Sequence, residues 1–168
     1  MTTDTNNPEL NINKELLATQ PNPFEKSREK SGSERKGGMP GEAGIQGASN
    51  IRITDFVMQS IESPVSIFAN LSISYSPRKY VVTPEDVSLY SKQFRLFTGT
   101  AEDAVELIAR HFVEQLEPMT FQLQSEFAIR EGVIVNPGAS WAHPEFLRMQ
   151  QRSQNQPGLA LPPGARLS

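Results

Sequence analysis

The reactive side chains of this sequence are few, and their types narrow the chemistry it can perform. There is no cysteine, which removes thiol nucleophiles, thiolate metal ligands and disulfides together. His111 and His143 are the only histidines, too few for a three-histidine zinc centre built by one chain. Carboxylates and hydroxyls remain. Thr100 and Asp103 form a Thr-x-x-acid capping pattern with Glu102 between them, and Thr83 precedes Pro84, Glu85 and Asp86 in a second helix start. A carboxylate in a first helical turn is favoured by the helix dipole, so Glu102 reads from its position alone as a capping residue. His111 falls mid-helix and reads as a packing or surface residue.

The elements that must position these groups follow from periodicity. From Thr100 to Pro118, Val105, Ile108, Phe112 and Leu116 recur at helical spacing, while Glu106, Arg110 and Glu114 occupy the opposite face. This predicts an amphipathic helix that Pro118 stops. Before it, Thr83 is an N-cap with proline at the first helical position, and Val87, Tyr90 and Phe94 continue one face to an end near Phe94-Arg95. Ile67, Ala69, Leu71, Ile73 and Tyr75 alternate with polar neighbours, as do Phe121, Leu123, Ser125, Phe127 and Ile129. Both runs predict half-buried strands. Ile51, Ile53 and Phe56 to Met58 predict a strand pairing with the first run through a turn near Glu62 to Pro64. Glu131-Gly132 predicts a tight turn into Val133 to Val135, halted at Asn136-Pro137. The order is strand, strand, helix, helix, strand, strand: an α+β domain, an antiparallel sheet with a helix pair on one face.

Composition bounds the rest. The chain has 168 residues, thirteen prolines and eleven glycines, crowded towards the ends. Residues 1–49 are poor in large apolar side chains and read as a disordered arm, in which Leu10 to Leu17 alone has the make-up of a short helix or docking peptide. Residues 50–137 form the domain. Residues 138–168 read as a flexible Pro/Gly-rich tail, its start pinned by Trp141, His143 and Phe146. A net charge of −3 gives no basic face for nucleic acid, so no direct DNA or RNA grip is expected. No apolar run approaches a membrane span, and MTTDTNNPEL lacks the apolar core of a signal peptide; a soluble, cytoplasmic protein is expected.

The order of elements is similar to the tunnelling fold, and particular residues narrow the resemblance. The run Phe68-Ala69-Asn70-Leu71-Ser72-Ile73-Ser74-Tyr75-Ser76-Pro77, then Ser88-Leu89-Tyr90, Phe94-Arg95, Gly99, Glu102-Asp103 and Leu116-Glu117-Pro118, and last Arg130 to Pro137, follow one another with the spacing of the QueF family. That family reduces the nitrile of 7-cyano-7-deazaguanine to an aminomethyl group with NADPH. The resemblance covers roughly residues 50–137.

It departs from the family where the reaction occurs. The family's nucleophilic cysteine aligns with Ser60, its proton-donating aspartate with Ile67, and its histidine with Ala101. Its lysine-bearing cofactor motif aligns with Thr83, Pro84, Glu85, Asp86, Val87 and Ser88, where an acid and a neutral group replace two cations that would meet NADPH phosphates. Nitrile reduction and a nicotinamide cofactor are therefore not expected, and no metal is. The family's base-gripping glutamate aligns with Glu102, whose carboxylate suits two parallel N–H donors of an amino-pyrimidinone ring. The resemblance implies a ring-forming homo-oligomer with sites between subunits, which the unpaired edges of a lone sheet also favour. It leaves three readings: an enzyme acting on a 7-substituted 7-deazaguanine without nitrile reduction, for example by decarboxylation, in a tRNA or DNA modification pathway; a base-binding or scaffold homologue without activity; and an atypical reductase. Glu102 and Ser63 are the expected substrate-binding residues, and Ser60, Glu62, Glu85 and Asp86 the catalytic candidates.

Overall fold

A computed structural model of the chain describes residues 12–17, 19–23 and 47–154. The central sheet contains β2 (Ser49–Ser60), β3 (Ser66–Ser76), β5 (Thr98–Gly99), β6 (Thr120–Arg130), β7 (Val133–Val135) and β8 (Gly138–Ala142). Its order is β5-β2-β3-β6-β7, with β8 also on β6. Two further strands, β1 (Thr19–Pro21) and β4 (Tyr80–Val82), pair only with each other. The helices are α1 (Pro84–Lys92), continued by a 3-10 turn over Gln93–Leu96, then α2 (Ala101–Leu116) and α3 (Pro144–Gln154).

The predicted alternation is realised in burial. Along β3, Ile67, Ala69, Leu71, Ile73 and Tyr75 are buried while Phe68, Asn70 and Ser72 are exposed. β2 holds the same parity by a different device. Ile53 and Phe56 both face the core although three residues apart, because the pairing with β3 shifts between them. A bulge absorbs the extra residue and returns Phe56 and Met58 to the inner face. The helices close that face through a chain of aromatic contacts, Phe56 to Phe94 at 5.0 Å, Tyr90 to Phe94 at 5.5 Å and Phe112 to Phe121 at 5.8 Å between ring centroids.

Both helices start where the sequence places them. Thr83 Oγ1 accepts from the Asp86 N–H, and Thr100 and Asp103 form a complete capping box. α2 ends on Glu117 in the left-handed conformation (φ 42°), one residue before the proline. His111 is buried, and its Nδ1 lies 2.9 Å from the Tyr90 hydroxyl, whose pKa burial pushes well above the ordinary phenol value.

Two expectations need correction. The segment after Asn136-Pro137 is not a loose tail as far as Gln154. Gly138–Ala142 pairs with Thr120–Gln124 as β8, and α3 follows. Its composition resembles a tail, but β6 is longer than β7 and leaves a run of backbone donors and acceptors that β8 satisfies. Trp141 packs against the core as expected. The arm before residue 50 also contributes to the fold. Ile12 and Leu17 are buried in the main core, and β1 supplies the partner of β4. The arm's remaining residues, 1–11, 18 and 24–46, and the end of the tail, 155–168, lie outside the described residues. No helix among the described residues is long and apolar enough to cross a membrane.

Candidate functional site

The crevice that gathers three of the six expected residues forms where β5 lies beside β2. The two strands pair in parallel over Gln59–Thr98 and Ser60–Gly99. This places Ser60 next to the residues that open α2. Gly99 is required there: an added Cβ would sit 2.7 Å from Cε1 and 2.9 Å from Cζ of Phe97, a ring that is itself buried and has nowhere to move. The absence of a side chain at Gly99 lets the chain turn tightly into Thr100.

The resulting crevice has a volume of about 180 Å³. Ser60, Glu62 and Glu102 line it, together with Ile67 and Ala101. Ile129 and Val135 add apolar wall from β6 and β7. Larger hollows, of about 430 and 850 Å³, lie over Asn70 and Gln124 on the outer sheet face and beside Phe146 and Met149 of α3. Neither contains an expected site residue. The crevice falls below the roughly 300 Å³ at the lower end of sites enclosing a whole small-molecule ligand, and large apolar side chains are exposed at Ile61 in its lining, in the β2–β3 turn and on the opposite sheet face. Ile61, Val65, Phe68 and Ile134 are each more than half exposed.

Within the crevice the capping duty and the free carboxylate are separated. Asp103, not Glu102, completes the capping box: Asp103 N–H donates to Thr100 Oγ1 at 3.1 Å, and Thr100 N–H donates to Asp103 Oδ2 at 3.0 Å. Glu102 is exposed and makes no hydrogen bond or ion pair among the described residues. Its oxygens remain available for donors brought by a ligand. Ser60 Oγ accepts from the Glu62 N–H at 3.2 Å. No imidazole or amine lines the crevice, so nothing there activates that hydroxyl as a nucleophile. Glu62 reaches Arg130 at 3.4 Å across an exposed gap, a weak pair in solvent.

Not every expected residue is brought in. Ser63 belongs to the β2–β3 turn, where its carbonyl accepts the Val65 N–H at 2.7 Å, and it does not line the crevice. Glu85 and Asp86 open α1 rather than the crevice. Asp86 is already engaged, with Thr83 Oγ1 2.5 Å from its Oδ2. This pair of acids without a neighbouring cation in the motif does not fit NADPH phosphates, which need positive or N–H donors. Sequence reasoning missed Ile61, Thr100, Ile129 and Val135; the alternation of β6 was the signal for Ile129. Among the described residues no group of three or more histidines, aspartates or glutamates could hold a metal ion.

The topology, with two antiparallel hairpins around a helix pair, defines a tunnelling-fold α+β domain. Comparison with known proteins gives similarities over part of the chain. A family model described as QueF-like protein matches residues 67–145. NADPH-dependent 7-cyano-7-deazaguanine reductases of Bacillus cytotoxicus and Bacillus licheniformis are each 29% identical to this chain over 77 residues, 46% of this chain and 47% of the relative. That of Staphylococcus saprophyticus is 27% identical over 78 residues. The chain thus spans about half the length of the curated relatives it matches. An archaeosine synthase QueF-Like, solved in the apo form, superposes with a TM-score of 0.51 at 18% identity, covering 57% of this chain and 94% of that one. Over the matched segment the chain is similar to QueF-like proteins and to the QueF reductases, and it shares the fold of the archaeosine synthase QueF-Like.

Proposed function

We propose that the crevice beside α2 is one half of a site for a 7-substituted 7-deazaguanine, closed by a second copy of the chain, and that the reaction there is removal of a 7-carboxylate rather than reduction of a nitrile. Glu102 holds the base by accepting from the ring N–H and the exocyclic amine. The substituent is directed towards Ser60 and Glu62. The observation that carries this reading is the convergence of Ser60, Ile67 and Ala101 on the same crevice as Glu102. The resemblance assigns those positions the reductase's thiol, acid and imidazole, and here they are a hydroxyl, a branched alkyl group and a methyl. The reductase's reactive positions are thus present without its reagents, while the base anchor remains.

Decarboxylation suits what is left. It needs no thiol and no hydride. A proton is delivered to C7 of the electron-rich pyrrole ring, the bond from C7 to the carboxyl carbon breaks, its electron pair restores the ring and carbon dioxide departs. Ile67, Ile129 and Val135 would strip water from the departing carboxylate, which favours its neutral product. Glu62 passes the proton, and Ser60 orients the group. The exposed Ile61, Val65, Phe68 and Ile134 are the surface a second copy would cover, as the short edge strands β5 and β7 also suggest.

The test uses the purified full chain with 7-carboxy-, 7-cyano- and unsubstituted 7-deazaguanine. Thermal stabilisation by bases carrying the guanine edge, abolished in Glu102→Gln, supports the anchor by linkage. Loss of carbon dioxide from the 7-carboxy base, read by mass spectrometry and slowed in Glu62→Gln, supports the reaction. Stabilisation with an unchanged ligand would leave a base-binding homologue without activity. No stabilisation by any base would leave a scaffold, and consumption of NADPH with the 7-cyano base would overturn the reading of Ser60.

A further inference from the structure

Residues 12–17 and 19–22 pack on the body, and they grip the helix pair beside the crevice. Leu17 is fully buried and Ile12 nearly so. Asn13 and Gln93 bond reciprocally: Asn13 N–H donates to Gln93 Oε1 at 2.8 Å, and Gln93 Nε2 donates to the Asn13 carbonyl at 3.1 Å. Lys14 Nζ donates to Glu114 Oε2 on α2 at 2.6 Å. Beyond these, β1 supplies the strand partner of β4. Asn22 N–H donates to the Lys79 carbonyl at 2.7 Å, and its side-chain amide, buried, donates to the Arg78 carbonyl at 3.0 Å.

This is the pattern of a bound peptide: two apolar anchors, backbone pairing with β4, which has no other strand partner, and polar contacts that set register. Its contacts also have a direction. Gln93 starts the 3-10 turn that leads into Phe97, and the Phe97 carbonyl accepts the Gln59 N–H at 2.9 Å, one residue before Ser60 of the crevice lining. Glu114 sits on the helix whose first turn carries Glu102. One segment therefore clamps both α2 and the run that sets β5 against β2.

We infer that residues 12–17 and 19–22 are an intrachain peptide ligand, a clasp across the helix pair whose occupancy holds β5 and the start of α2 in register with Ser60. The inference stands on these contacts and does not depend on what the crevice binds.

The experiment introduces a recognition site for a sequence-specific protease within residues 24–46 of the full chain and cuts it. The expected result is that the N-terminal fragment co-elutes with the body at micromolar concentration, and that Leu17→Ala releases it. Gln93→Ala leaves the core intact and is expected to weaken retention several-fold and to raise amide exchange at Gln59 and Gly99 several-fold, with exchange inside α3 unchanged. Immediate loss of the fragment from a body that keeps its thermal transition and its protection at Gln59 would overturn the clasp. Retention with unchanged exchange at Gln59 and Gly99 in Gln93→Ala would overturn its coupling to the crevice. Because exchange is read without ligand, failure of base binding leaves this result interpretable.

Discussion

The two helix starts are nearly the same in sequence and differ in what surrounds them. Thr83-Pro84-Glu85-Asp86 and Thr100-Ala101-Glu102-Asp103 each place a threonine at the cap, an exposed glutamate at the second helical position and an aspartate behind it. Each threonine accepts from the aspartate N–H, at 3.2 Å in α1 and 3.1 Å in α2. In α2 the aspartate returns a bond to the backbone of Thr100, whereas in α1 its carboxylate takes the Thr83 hydroxyl. Neither glutamate is used for capping. Glu85 follows β4, whose partner is the outlying β1, and Glu102 follows β5, whose partner is β2 at Ser60. A carboxylate in a first turn becomes a candidate for binding through the strand delivered beside it, not through its local motif.

The comparison breaks most visibly at the two glutamates. Glu102→Gln removes an acceptor for charge-assisted bonds, each contributing about 1.5–3 kcal/mol, so base affinity should fall by at least about tenfold. Glu85→Gln, the same change in the same local setting, should leave it within twofold. Titration calorimetry of the two variants with 7-deazaguanine checks this, and equal losses would mean that α1 contributes to the site as much as α2.

A smaller difference lies in the caps. Thr100→Ala should cost about 1 kcal/mol in urea denaturation, the usual loss when a threonine cap is removed. Thr83→Ala should cost a few tenths of a kcal/mol more, because it also strips the half-buried Asp86 carboxylate of its hydroxyl donor. Serine at either position should restore most of the loss. Were Thr83→Ala the milder change, the hydroxyl-to-carboxylate bond of α1 would contribute nothing.

How far these features could be read in the sequence depends on where the information sits. The strands β3 and β6 were legible because one face is core and the other solvent, so period two is imposed on the residues themselves. Both caps were legible because the bonding groups lie within four positions of one another. β8 was not, since Gly138-Ala139-Ser140-Trp141-Ala142 has no pattern of its own and becomes a strand because β6 offers it a ladder. The docked segment was hidden for a related reason: Ile12 and Leu17 are two apolar residues in a polar arm, and their burial depends on a groove made by distant helices. The site divides in the same way. Glu102, Ser60 and Glu62 were named through the resemblance and do share a crevice. Ser63, Glu85 and Asp86 were named with them and do not line it, because alignment carries residue types across without the neighbours that once gave them a role.

The smallest effect separates the two ties that bind the N-terminal segment to the helix pair. The tie to α1, through Gln93, is uncharged and does not titrate. The tie to α2 is an ion pair in which the hydrogen bond from Lys14 holds the Glu114 carboxyl below its ordinary pKa. A carboxylate depressed in the folded state adds stability that is fully present above the unfolded value, about 4.3, and is lost as pH falls through the lower folded value. Both side chains are 45% exposed, so solvent and salt screen the pair and its contribution should stay below about 1 kcal/mol. Glu114→Gln should therefore remove a shallow acid-side decline in stability that is visible at low ionic strength and absent in high salt. Gln93→Ala should lower stability by the same amount at every pH. A pH-independent loss in Glu114→Gln would mean that Lys14 acts through packing of its stem along α2 and not through its charge.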